Sequence, residues 1–65
     1  MHRSKYKRTD RVRPLQGIYS GYICLIDNYF YSEEDEEYVY VVHTMMSPGV
    51  QHFFKESELE FAGLA

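Results

Sequence analysis

YICLIDNYFYSEEDEEYVYVVHT, residues 22–44, is the stretch whose reading decides the fold. Its first ten residues are rich in β-branched and aromatic types and show no helix-forming face. In an extended chain Ile23 and Leu25 point one way and Cys24 and Ile26 the other, so both faces of this strand are apolar at its start. Residues 32–37, SEEDEE, follow with five consecutive carboxylates that repel one another in any packed setting and therefore belong to a solvated turn. Residues 38–44 resume strand character, with Val39, Val41 and His43 on one side and Tyr38, Tyr40, Val42 and Thr44 on the other. The stretch predicts a long hairpin with an acidic tip.

Working outward, Ser47-Pro48-Gly49 fits a turn with Pro at its second position and Gly at its third, which closes a second hairpin into a strand over residues 50–54. Residues 55–58 suit one 3₁₀ turn, and Leu59-Glu60-Phe61 alternates as a closing strand before a frayed tail over residues 62–65. Upstream, Asp10-Arg11-Val12-Arg13 reads as a short edge strand ended by Pro14, and PLQGIYSG, residues 14–21, as an irregular glycine-bearing loop. Residues 1–9, MHRSKYKRT, lack an aliphatic run and are expected to form a flexible basic arm. The expected core is Val12, Ile23, Leu25, Val39, Val41, Phe54 and Leu59, with Ile18 and Ile26 covering its ends.

This order of elements, with Asp10-Arg11-Val12-Arg13 leading to Gly17 and Gly21-Tyr22-Ile23 and with the ending Phe54-Lys55-Glu56-Ser57-Glu58-Leu59, resembles SH3-like barrels. The ending is similar to that of small uncharacterised SH3-like proteins of Gram-positive bacteria and their phages and prophages. The resemblance covers residues 10–61. It implies an all-β, five-stranded SH3-like barrel with a 3₁₀ turn before the last strand and a phage or prophage origin, and it gives no activity. Peptide-binding SH3 domains clamp polyproline ligands with a tryptophan, and this chain has none. Related KOW-type modules have basic loops, whereas the hairpin loop here carries residues 33–37, EEDEE, which would repel nucleic acid.

Size and composition narrow the function. Sixty-five residues make one domain that buries about 60% of its unfolded surface, too little to enclose a substrate cleft. The single cysteine, Cys24, lies in an apolar run, which rules out a disulfide framework and favours a reducing cytoplasm. No apolar stretch approaches the roughly 18 residues of a membrane span. No catalytic motif is present, so a non-enzymatic module without metal or cofactor is expected. His43 and His52 are placed to face one another across the second hairpin, read as two strand residues on a half-exposed face. The acidic run lacks the ligand spacing of a wrapped Ca²⁺ loop.

Charge divides the chain after Arg13: six basic residues against Asp10 give +5 before it, and Lys55 against nine carboxylates gives −8 beyond it. Tyrosine is the strongest surface signal. Tyr22, Tyr29, Tyr31, Tyr38 and Tyr40 are expected to present a protein-binding face along the hairpin, because tyrosine offers broad contact at low entropy cost. The alternative is nucleic-acid binding by the arm, with Arg3, Lys5, Lys7 and Arg8 on phosphates and Tyr6 stacked on a base. A second alternative is an acidic mimic of DNA that inhibits a DNA-binding protein. The expected oligomeric state is a monomer, or a weak, salt-sensitive association of basic arm with acidic body.

Overall fold

The computed structural model describes residues 3–63, and over these the protein is all-β. β1 (Arg11–Pro14), β2 (Cys24–Ser32), β3 (Glu37–Thr44), β4 (Ser47–Lys55) and β5 (Leu59–Gly63) are joined in that order, with one 3₁₀ turn at Glu56–Glu58 before β5. They form a single antiparallel sheet in the order β4-β3-β2-β1-β5. The long hairpin is present: Ser32 pairs with Glu37 across the acidic turn, and Glu36 takes a left-handed φ of 56° to close it. β5 runs through Gly63, beyond the residue where the tail was expected to begin; residues 64–65 lie outside the described residues, as do residues 1–2.

Four further expectations are corrected. The sheet is open, with β4 and β5 as its two edges, so the closed barrel is not formed. One physical reason is local: Thr44 pairs with Ser47 and His43 with Gln51, so residues 48–50 bulge from β4 at Pro48, which has no N–H to give a ladder. The second correction concerns the same place. The turn falls on Met45-Met46, and Ser47-Pro48-Gly49 opens β4 instead of forming the corner; the Ser47 N–H is taken by the Thr44 hydroxyl at 3.2 Å.

The third correction is the buried face. Cys24, Ile26, Tyr40, Val42 and Thr44 are buried, while Leu25 and Val41, expected in the core, are only half-buried on the other side. Ile23 is half-buried just ahead of β2, and Ile18, expected to cover one end, is 84% exposed. Phe54 is half-buried against the core, and Val12, Val39 and Leu59 are buried as expected. Because both faces of β2 and β3 are apolar, alternation alone leaves the choice open. A bulge settles it: the register shifts between Ile26 and Asn28, so Ile26 opposite Val42 and Tyr29 opposite Tyr40 share one face although they are three residues apart. This lets one face collect Cys24, Ile26, Tyr29, Tyr31, Tyr38, Tyr40 and Val42.

What covers that face is the segment read as a free arm. Tyr6 is 2% exposed, edge-on to Tyr40 at 5.4 Å between ring centroids and stacked on Phe61 at 6.3 Å. Its hydroxyl donates to the Leu59 carbonyl at 3.2 Å. Downstream of it, the Thr9 N–H donates to the Ile26 carbonyl and the Arg8 Nε to the Asp27 carbonyl, which fastens the segment to the bulge of β2. Thr9 meets this geometry at a left-handed φ of 73°. The arm over residues 3–9 is thus seated against the sheet. Composition misled because one buried tyrosine with a bonded hydroxyl supplies the apolar area that aliphatic residues were absent to provide.

Truncating Tyr6 to Ala is expected to lower the unfolding free energy by about 3 kcal/mol in urea titrations, and Tyr6→Phe by about 1 kcal/mol, since the latter removes only the hydrogen bond. A Tyr6→Ala loss below about 0.5 kcal/mol, the range of ordinary surface changes, would contradict the seating of the segment.

Candidate functional site

Of the five tyrosines expected on a binding face, the fold spends most in packing. Tyr40 is fully buried. Tyr29 and Tyr38 are half-buried against the core, and Tyr31 meets Tyr38 edge-on at 5.3 Å. These rings form a cross-strand ladder, with Tyr29 also 5.8 Å from Tyr38 and 5.7 Å from Tyr40. Tyr40 cannot reach a partner without leaving the core, and the same holds for Tyr6 as a base-stacking residue. Tyr22, 43% exposed and edge-on to Tyr19 at 6.1 Å, lies outside that ladder at the other end of the hairpin.

The Tyr40 hydroxyl is instead a junction. It accepts the Lys5 and Tyr6 N–H groups, both at 3.1 Å, and donates to Glu56 Oε2 at 2.6 Å. The same carboxylate oxygen accepts the Lys5 N–H at 2.9 Å. Burial first, and then the hydrogen bond to Glu56, push the Tyr40 phenol well above its usual value. Burial likewise raises the Cys24 thiol, which keeps it protonated and poorly nucleophilic. Tyr31 is raised by burial and by the carboxylates of Glu33 and Glu36.

The titratable groups are otherwise dispersed. His43 lies on the outer face with its Nδ1 held 2.8 and 2.9 Å from the two Asp27 oxygens, opposite Gln51 in β4. His52 opposes Val42 and stacks on Tyr19 at 4.3 Å. The register thus puts the two histidines on opposite faces, so they do not face each other across the hairpin. Among the described residues no three His, Cys, Asp or Glu side chains are grouped to hold a metal ion. The acidic tip is tied to the body: Glu37 accepts the Ser57 N–H and hydroxyl, and Lys55 Nζ lies 3.5 Å from Asp35. Glu33, Glu34 and Glu36 extend into solvent.

A different surface gathers at the opposite end. Residues 14–26 and 44–54 contain no Asp, Glu, Lys or Arg. The fold brings them together, because Cys24 pairs with Thr44 and so sets Tyr22 and Ile23 beside the Met45-Met46 turn. Tyr22, Ile23, Thr44, Met45 and Met46 line an open cleft of about 430 Å³. Its rim is apolar and outward: Met46 is 74% exposed, Met45 57% and Tyr22 43%, with Val50 on the β4 bulge and Ile18 on the preceding loop also bare. Two methionines at a two-residue β-turn are poor turn formers, since such corners favour Asn, Asp and Gly. Nothing in the hairpin itself explains their choice.

No family model, curated protein or solved structure matches this chain. What the surface can do therefore follows from its own chemistry. Its lining is aliphatic, thioether and aromatic, with the Tyr22 phenol and the Thr44 hydroxyl as its polar groups and no side chain charged at neutral pH, which suits it to exclude water from an apolar guest. The outer face also carries bare aromatics, Phe30 and Phe53, but Arg11, Asp27 and Lys55 stand among them.

Sequence reading passed over Met45, Met46 and Val50 because it put the corner at Pro48-Gly49. The signal that would have found them is the complete absence of charge from two segments whose pairing a hairpin register already implies.

Because the folded-state pKa of Tyr40 lies above that of an unfolded tyrosine, about 10, its contribution to stability is complete below pH 10 and is lost as pH rises beyond it. Urea midpoints of the wild type should fall steeply above about pH 10, while Tyr40→Phe should be less stable at pH 7 and show a shallower alkaline decline. Equal alkaline slopes for both proteins would remove Tyr40 as the titrating group.

Proposed function

We propose that this chain is a non-enzymatic protein-interaction module that meets its partner through the uncharged end formed by Tyr22, Ile23, Met45 and Met46. The observation that carries the reading is the cleft of about 430 Å³ ringed by bare methionines on a chain otherwise dense in charge. Small proteins rarely leave a contiguous apolar patch in water without a use for it, and methionine, with three rotatable bonds and a polarizable sulfur, adapts its shape to a guest. The tyrosine face first expected for this role is largely consumed in packing, and Tyr22 is the member of that set retained here.

The fold is read as an SH3-like barrel opened at one seam. The element order and the pairing of β1 with both β2 and β5 support this. Two non-strand segments pack on the strands that flank it: the Tyr6 segment between Tyr40 of β3 and Phe61 of β5, and Tyr19 of the glycine-bearing loop against His52 of β4. Among the described residues no helix is long and apolar enough to cross a membrane. A reducing cytoplasm suits the single buried thiol of Cys24, and a phage or prophage origin remains the source the resemblance implies. The reading is tested by cross-linked affinity capture from a bacterial lysate: proteins enriched by the wild type should be lost with Met46→Glu and with Tyr22→Ala, and kept with Tyr31→Ala. Retention by Met46→Glu would end it.

One observation favours a second reading, binding of nucleic acid. Arg3, Lys5, Lys7, Arg8 and Arg11 are all exposed, and none is in the ion pairs among the described residues, which are Arg13–Glu60, His43–Asp27 and Lys55–Asp35. Seating of the segment holds Arg3, Lys5, Lys7 and Arg8 in one short stretch against the sheet, while Arg11 follows on the outer face. On this reading duplex DNA binding should weaken with a log–log salt slope of about −4 to −5, one unit shallower in Arg11→Ala. Binding that ignores salt, or is missing in 50 mM NaCl gel shifts, would discard it.

A further inference from the structure

The structure assigns the uncharged end a specific occupant, a second copy of the same chain joined end to end about a two-fold axis. This deepens the interaction reading above and rests on it. The geometry of the long hairpin supplies the first reason. β2 has nine residues, about 30 Å of strand at about 3.3 Å per residue, so it runs along the 34 Å axis of a molecule whose other extents are 23 and 20 Å. The acidic turn over residues 33–36 therefore lies at one pole and the Met45-Met46 turn at the other.

Charge supplies the second. Carboxylates, which outnumber the basic side chains by nine to one beyond Arg13, repel those of another copy wherever they meet, but residues 14–26 and 44–54 hold none. Pairing through the uncharged pole points the two acidic tips away from each other, about 60 Å apart, many times the Debye length of about 8 Å. In this orientation no carboxylate of one copy is brought against a carboxylate of the other. Antiparallel side-by-side pairing of β4 edges is hindered by Pro48 and the bulge over residues 48–50.

Shape supplies the third. A two-fold contact must be self-complementary, since the same patch serves both partners. This patch carries both a projection and a recess: Met46 is 74% exposed, and Met45 and Met46 flank a cleft roomy enough for a thioether side chain. Each copy can lay its Met46 into the other's cleft between Tyr22 and Ile23, where sulfur meets an aromatic ring favourably. An end-on contact across a 23 × 20 Å cross-section covers roughly 400 Å² per partner, about half the area of a standard interface, so the dimer is weak and concentration-dependent.

Sedimentation equilibrium of the full chain from about 20 μM to about 1 mM, in 0.05 M and 1 M NaCl, tests this together with concentration-dependent amide shifts in ¹⁵N spectra. The expected result is a dimer at the upper concentrations in both salts, amide shifts confined to residues 17–24 and 44–51, and at least a tenfold loss of association constant in Met46→Glu. Should Met46→Glu fail to fold, the wild-type shifts decide alone. A wild type monomeric at 1 mM overturns the inference. So does association that vanishes in 1 M NaCl and persists in Met46→Glu, which identifies charge pairing of the basic segment with the acidic body. A monomeric wild type whose Met46→Glu variant still loses captured proteins overturns self-pairing alone and leaves the interaction reading standing.

Discussion

Everything in this small sheet converges on the hydroxyl of Tyr40. A phenol oxygen has one proton to give and two lone pairs to receive, and here all three are used: two backbone N–H groups from Lys5 and Tyr6 come in, and the proton goes to Glu56. Those three bonds join the N-terminal segment, strand β3 and the 3₁₀ turn, which are far apart in the chain. The junction costs little only because it is complete; among the described residues no buried side-chain nitrogen or oxygen lacks a partner. With Tyr6 seated against Tyr40, the inner face of an open sheet acquires the cover that barrel closure would otherwise provide.

That arrangement explains how a chain of this size folds without helices or disulfides. Its aliphatic core is thin: Val12, Ile26, Val42 and Leu59 with the thiol of Cys24. The aromatic residues supply the remaining area, with Tyr6 and Tyr40 fully enclosed and Tyr29, Tyr38 and Phe54 leaning on them. Tyrosine suits the work because each ring buries a large surface while its hydroxyl reaches a carbonyl, a carboxylate or water. The same economy draws most of the tyrosines off the surface and leaves the methionines of the far turn, with Tyr22, as exposed adaptable residues.

Charge is laid out with equal consistency. Carboxylates concentrate at the β2–β3 turn and along the 3₁₀ turn, cations on the N-terminal segment and β1, and neither reaches the pole where β2 begins and β3 ends. Exposed ion pairs such as Arg13–Glu60 and Lys55–Asp35 contribute at most about 1 kcal/mol each, so this layout governs contacts between molecules more than the stability of one. An uncharged end on a highly charged small protein is a preference about what may approach it.

Local chemistry was legible in the sequence wherever one residue type decides the outcome. A run of adjacent carboxylates belongs in a solvated turn, and four of the five, residues 33–36, form it while Glu37 opens β3; β-branched and aromatic runs form strands in a chain this short, and the one 3₁₀ turn expected over residues 55–58 stands at Glu56–Glu58. What periodicity could not decide was which of two apolar faces of β2 and β3 is buried, because a bulge at Asp27 and the seated Tyr6 make that choice through residues distant in the chain. The same holds for the N-terminal segment, whose composition reads as solvated until a partner hydroxyl 34 residues away is in place. The candidate site followed suit: its residues lie in two separate segments, each unremarkable alone, and only their pairing turns an absence of charge into a surface.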